Sequence, residues 1–151
     1  MRFLVQVVKN ASVDVDDKII GKIERGFLVF VGVSDEDNKD IADKMVKKLV
    51  NLRIFEDEMG KTNLAIGDIN GSMLVISQFT LYADCRKGNR PSFVKAGAPD
   101  HAHELYEYIL GELRNTYNIS TECGQFGADM KVSLVNDGPF TVMLDSDDLF
   151  A

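Results

Sequence analysis

Strand-like segments outnumber helical ones in this chain by a margin that limits the architecture. Phe3 to Val8, Ser12 to Val15, Ile19 to Ile23 and the apolar run FLVFVGV (Phe27 to Val33) come first, punctuated by Gly21, Gly26 and Gly32. A strand LRIF, an acidic glycine-containing loop and a long strand SMLVISQFTLYA follow. Ile119 to Glu122, Met130 to Val135 and Phe140 to Leu144 close the chain. Only two segments carry a helical stripe. In the first, DEDNKD offers N-cap residues and first-turn acids, and Ile41, Ala42, Met45, Val46, Leu49 and Val50 share one face. The second starts at Pro99-Asp100 and turns Leu105, Tyr106, Ile109, Leu110 and Leu113 inward. The expected fold is α+β: a curved, largely antiparallel sheet or partial barrel with two main helices packed outside. Such a sheet has edges, and pairing two subunits into a homodimer is a common way to cover them.

At 151 residues without repeats or linkers, residues 1–151 read as one domain with a full core. The chain is 45% apolar and 27% charged, the balance of a soluble globular protein. It has no apolar run of about 18 residues, so a membrane-spanning helix is not expected. The N-terminus alternates like a strand rather than a signal peptide. Two cysteines, Cys85 and Cys123, do not make a disulfide framework, and the cytoplasm is the expected address.

A net charge of -7 argues against non-specific coating of nucleic acid. The charge is uneven, however. ADCRKGNRPSFVKAGA, Ala83 to Ala98, sets Arg86, Lys87, Arg90 and Lys95 against Asp84 alone, so this window is +3 and the remainder -10. It is either a solvated loop or the grip on a short anionic end.

Most chemical candidates fail on spacing. Gly60-Lys61-Thr62 resembles the end of a phosphate-binding loop, but Phe55 stands where the first glycine belongs and Glu56, Asp57 and Glu58 would repel phosphate. His101 and His103, two apart on a helix, point to different faces and read as a pair of surface histidines; neither they nor the distant cysteines have metal-ligand spacing. Cys85 beside Arg86 and Lys87 could ionise as a thiol nucleophile, though nothing in sequence orients a base toward it.

SQFTL is more informative. On a strand, Gln78, Thr80 and Tyr82 share one face while Ser77, Phe79 and Leu81 share the other. An amide and a hydroxyl then stand side by side on a strand entering the basic loop. As a nucleophile Thr80 lacks a neighbouring base. Either the base comes from elsewhere in the fold, or the protein supplies positioning and backbone N–H donors. Near the C-terminus, SLVNDGPFTVML places Asn136-Asp137-Gly138-Pro139 between two apolar runs, which predicts a β-hairpin turn. Pro139 sits awkwardly there, because it removes a donor where the returning strand should pair.

SQFTL together with NDGPFT (Asn136 to Thr141) resembles the D-aminoacyl-tRNA deacylase family. ASVDVDDKIIGKIERGFLVFVGV, RIFEDEMGKTNL, KGNRPSF and GQFGADMKVSLVNDGPFTV extend the likeness over essentially the whole chain. The resemblance implies a homodimer that hydrolyses the ester between a D-amino acid, or glycine, and the terminal adenosine of tRNA, a chirality proofreading step. It implies that Gly138 and Pro139, joined by a cis peptide, enter the other subunit's site and exclude L-amino acids with their carbonyls. Gln78, Phe79 and Thr80 would form the catalytic segment, with backbone N–H groups near Phe79 and Thr80 as the oxyanion hole. Ser77, Asn136, Thr141, Phe126 and Met130 would support or bind substrate, and Arg86, Lys87, Arg90 and Lys95 would contact tRNA phosphates. In the family the substrate's own 2′-OH assists, so no essential side-chain nucleophile, cofactor or metal is implied. One departure stands out: Val7 replaces an arginine that many members use to brace the Gly-Pro loop. A non-catalytic RNA-end binding module and a Cys85 thiol hydrolase remain the alternatives.

Overall fold

The computed structural model describes residues 1–151. Its first half contains β1 (Arg2–Val15), β2 (Lys18–Ile23), β3 (Gly26–Gly32), α1 (Lys39–Val50), β4 (Phe55–Glu56) and β5 (Thr62–Leu64). Then come β6 (Ser72–Ser77), a 3₁₀ turn (Phe79–Tyr82), α2 (Pro99–Gly111), β7 (Ser120–Cys123), β8 (Lys131–Asp145) and the short α3 (Ser146–Leu149). No helix is long and apolar enough to cross a membrane.

The expected α+β architecture holds, with a sheet that is mixed and nearly closed. β1 is its spine, one unbroken strand where the sequence pattern gave two. Along one edge it pairs antiparallel with β8, from Arg2↔Asp145 to Asp14↔Lys131. Along the other its first half pairs with β3 and its second half with β2, also antiparallel. β3–β6 and β6–β7 are parallel. The cause is connectivity: α1 lies between β3 and β6 and α2 between β6 and β7, and a helical crossover returns the chain in its original direction. Of LRIF only Phe55 is strand, in β4 with Glu56, paired with β5 in a separate ribbon. β2 curls back toward β7, where a Cβ on Gly21 would come within 2.9 Å of the Cys123 carbonyl oxygen.

Both helices behave as their stripes predict. Asn38 caps α1 by accepting from the Ile41 amide at 2.9 Å. Ala42, Met45, Val46, Leu49 and Val50 are buried, as are Leu105, Tyr106, Ile109 and Leu110; Leu113 is buried too, in a π-helical turn (Glu112–Thr116) that follows α2. Phe27, Val29 and Val31 of β3 join these helices in the main core. Leu28 belongs to a second cluster with Val8, Val13, Leu74 and Ile76. Burial on both faces is why β3 is apolar throughout rather than alternating. Each such side chain contributes about 1.5–3 kcal/mol.

Gly26 marks a close approach of two strands. A Cβ there would lie 1.7 Å from the Ser72 carbonyl oxygen, so β3 and β6 would have to separate. Gly26→Ala is expected to cost about 3 kcal/mol, read as a lower urea midpoint at unchanged slope.

The segment Asn136 to Pro139 is not a hairpin turn. The chain on both sides of it pairs with the same strand: Val8 faces Asn136 and Gln6 faces Thr141, leaving Val7 opposite Asp137 to Phe140. The surplus residues loop out as a wide bulge in β8. Turn residues announced an interruption in pairing, and a bulge meets that signal as well as a reversal does. Residues 135–139 are all exposed. Gly138 has φ of +134°, a conformation open to glycine, and the Gly138-Pro139 peptide is cis.

Candidate active site

The strand reading of SMLVISQFTLYA stops at Ser77. Gln78 still donates its amide to the Val31 carbonyl at 2.8 Å, extending the β3–β6 ladder by one bond. The chain then winds into the 3₁₀ turn, with Leu81 donating to the Gln78 carbonyl and Ala83 to that of Thr80. Phe-Thr-Leu-Tyr has strong strand propensity, and tertiary packing overrides it. The turn lies on Gly32, where a Cβ would sit 3.0 Å from Leu81 Cβ and 3.3 Å from the Tyr82 ring. Opposite faces of a strand therefore do not separate Gln78 from Phe79. The expected pairing of amide and hydroxyl survives by another route: Gln78 Nε2 donates to Thr80 Oγ1 at 2.6 Å.

This geometry exposes main-chain donors. The first amides of any helical turn lack an internal acceptor. Phe79 and Thr80 open this turn, so their amides have no acceptor within it.

Beside the turn opens a cleft of about 660 Å³, a size suited to a small ligand. Ser77, Gln78, Phe79, Phe126 and Met130, all anticipated from sequence, line it. Phe30, Phe93, Val132 and the small residues Ala96, Gly97 and Ala98 are among the other wall residues and were not anticipated, although the AGA run before α2 leaves conspicuous room for a ligand. Gly97 is held against the end of β3 by its amide, which donates to the Val33 carbonyl at 2.8 Å. Asp129 is the one charged residue on the lining, so the cleft favours apolar groups with a few polar anchors. Phe126 is clamped: His103 stacks on it with ring centroids 4.4 Å apart and planes 8° from parallel, and Tyr106 packs at 6.0 Å. Burial above all pushes the Tyr82 and Tyr106 phenols well above their ordinary range, so both stay neutral; Tyr106 donates to the Val75 carbonyl at 2.7 Å.

Other anticipated residues lie elsewhere. Thr80 adjoins the cleft through Gln78 without lining it. Gly138 and Pro139 sit on the β8 bulge, Asn136 and Thr141 are paired at its two edges, and none of the four lines this chain's own cleft. Gln6 Nε2 reaches Thr141 Oγ1 at 3.5 Å beside the bulge, while Val7 is buried in the main core. Arg86, Lys87, Arg90 and Lys95 are exposed on a loop pinned by reciprocal backbone bonds between Asp84 and Ser92. Arg86 is already spent on Asp84, with contacts of 2.6 and 2.9 Å that hold the Asp84 carboxyl well below the usual range. Its charge is therefore less available to the neighbouring exposed Cys85 than the sequence implied. The two histidines are not an equivalent surface pair: His101 buries Nε2 without a partner, whereas His103 covers Phe126.

Comparison with known proteins gives this arrangement its family. The family model described as D-Tyr-tRNA(Tyr) deacylase matches residues 4–145. The chain belongs to the D-aminoacyl-tRNA deacylase family. A D-aminoacyl-tRNA deacylase of Thermosipho africanus is 54% identical over 99% of this chain and 100% of its own length. One from Lactobacillus gasseri is 52% identical over 96% and 99%. A solved structure titled c-Myc DNA Unwinding Element Binding Protein superposes with a TM-score of 0.91 at 41% identity, covering 96% of this chain and 98% of that one. Another, titled as a probable eukaryotic D-amino acid tRNA deacylase, shares the fold with a TM-score of 0.78 at 16% identity, over 95% and 97%. The SQFTL turn and the wall around Phe126 thus border one cleft, and the NDGPFT bulge is a separate exposed element.

Proposed function

We propose that residues 1–151 form one deacylase domain that hydrolyses the ester of D-aminoacyl-tRNA, and of glycyl-tRNA, as a cytoplasmic homodimer. The observation that carries this reading is a cleft edged by the opening amides of a 3₁₀ turn, with no side-chain nucleophile and base paired on its lining. Ester hydrolysis passes through a tetrahedral oxyanion, which preorganised N–H groups stabilise by several kcal/mol. The Phe79 and Thr80 amides supply them, Gln78 fixes the Thr80 hydroxyl, and the apolar walls receive the terminal adenosine and the amino-acid side chain. The terminal ribose brings its own 2′-OH, able to give or take a proton, which accounts for the missing base.

The partner copy supplies the selectivity. β8 has a neighbour on one side only, and Val135 and Met143 beside the bulge are about half exposed, as an edge awaiting a second chain would be. In the dimer the Gly138-Pro139 tip enters the other copy's cleft. Its carbonyls leave no room for an L side chain, since rejecting the mirror form takes a clash or a desolvated polar group rather than added attraction to the D-form. Lys87, Arg90 and Lys95 meet phosphates of the tRNA end. Replacing any of the three with alanine is expected to lower the log–log salt slope of tRNA binding by about one, and Arg86→Ala by less, because Asp84 already neutralises it.

The test is turnover of D-tyrosyl-tRNA in large excess over enzyme, with EDTA present. Multiple turnovers, undiminished in Cys85→Ala, are expected. Stoichiometric, salt-sensitive binding without ester loss would establish an RNA-end binding module instead, and loss of activity in Cys85→Ala would establish a thiol hydrolase.

A further inference from the structure

We propose that Arg2 is a positioning residue for hydrolysis, tying the carbonyl end of the Phe79–Tyr82 turn to the last residue of β8. This rests on the reading of the Phe79 and Thr80 amides as the oxyanion donors.

A single 3₁₀ turn has few internal hydrogen bonds and cannot fix its own orientation. Its final carbonyls are orphans unless something outside the turn donates to them. Arg2 does so: Nη1 donates to the Leu81 carbonyl at 2.7 Å. Nε of the same guanidinium donates to Asp145 Oδ2 at 2.8 Å, and the cation lies 4.5 Å from the centre of the Tyr82 ring. Charge-assisted bonds of this length are among the strongest non-covalent ties a side chain makes. The backbone sets them up, because Arg2 and Asp145 face each other at the end of the β1–β8 ladder.

Geometry favours arginine over lysine here. One planar fork reaches two acceptors in different directions while stacking on an aromatic face, whereas an ammonium is a point donor on a flexible stem. The tie also joins the two halves of the proposed site. Asp145 ends the strand that carries the Asn136–Thr141 bulge, so one side chain links the turn serving this chain's cleft to the strand serving its partner's.

The experiment uses the full chain and D-tyrosyl-tRNA. In Arg2→Met, whose stem still covers Tyr82, kcat is expected to fall about 10- to 100-fold while KM stays within about twofold. Arg2→Lys is expected to recover only part of the loss. The amide resonances of Phe79 and Thr80 should shift or broaden in Arg2→Met. Asp145→Asn keeps the cap that Asp145 gives the Asp147 amide while weakening its hold on Arg2; it should lower kcat less than Arg2→Met does. If Arg2→Met does not fold, Asp145→Asn decides alone. A folded Arg2→Met or Asp145→Asn enzyme with wild-type kcat and unmoved Phe79 and Thr80 resonances would overturn the proposal. A wild-type protein unable to deacylate would instead overturn the functional reading beneath it.

Discussion

A Phe79→Pro enzyme is expected to turn over D-aminoacyl-tRNA about 10²–10³-fold more slowly than a Phe79→Ala enzyme, mainly through kcat. Both variants lose the half-exposed ring, which packs edge-on against Phe93 at 5.1 Å. Only proline also removes the amide. The position suits such a test, because Phe79 opens the turn and proline is tolerated in a first helical turn. Gln78 before it has φ of −144° and ψ of 85°, outside the helical region that a following proline disfavours. The difference between the two variants therefore isolates one backbone donor from everything the side chain does. Equal rates would show that the Phe79 amide is not part of the oxyanion hole.

Gly138→Val should be nearly as damaging, for a different reason. At φ of +134° an L side chain is strained by about 1–3 kcal/mol, so the tip must change shape. The residue is exposed and its own chain should remain folded. If the tip works inside the other copy's cleft, displacing it by an ångström costs about 100-fold in turnover. Mixing then provides a strict check. A Gly138→Val chain keeps its cleft and a Phe79→Pro chain keeps its tip, so each mixed dimer contains one sound site. Random pairing of two inactive variants should return roughly a quarter of the wild-type sites. Absence of any recovery would count against a site shared between subunits.

What sequence reveals about this molecule follows the range of the forces involved. The helices were legible because burial repeats with their own period: Met45, Val46 and Leu49 announce α1, and Pro99 announces the start of α2. SQFTL marked one wall of the cleft, and NDGPFT the element proposed to serve the partner's. The 3₁₀ turn of the first and the bulged pairing of the second were not legible. The turn at Phe79 depends on Gly32, a residue on another strand whose missing side chain gives it room. The Asn136–Pro139 bulge looks like a hairpin until one knows that Val132 and Val142 pair with the same strand, at Val13 and Val5. Likewise Ala96 to Ala98 become cleft wall only because Gly97 is fastened to the end of β3, and Arg2 gains a role only when Leu81 and Asp145 are brought beside it.

The central claim is that this cleft hydrolyses the D-form of an aminoacyl ester and refuses the L-form. It is tested most directly by release rates from D-tyrosyl-tRNA and L-tyrosyl-tRNA made from the same tRNA, at one catalytic enzyme concentration. The D-ester should be cleaved at least about 100-fold faster, the discrimination that a clash of about 3 kcal/mol provides. Equal rates on the two esters, or no release from either, would contradict the account.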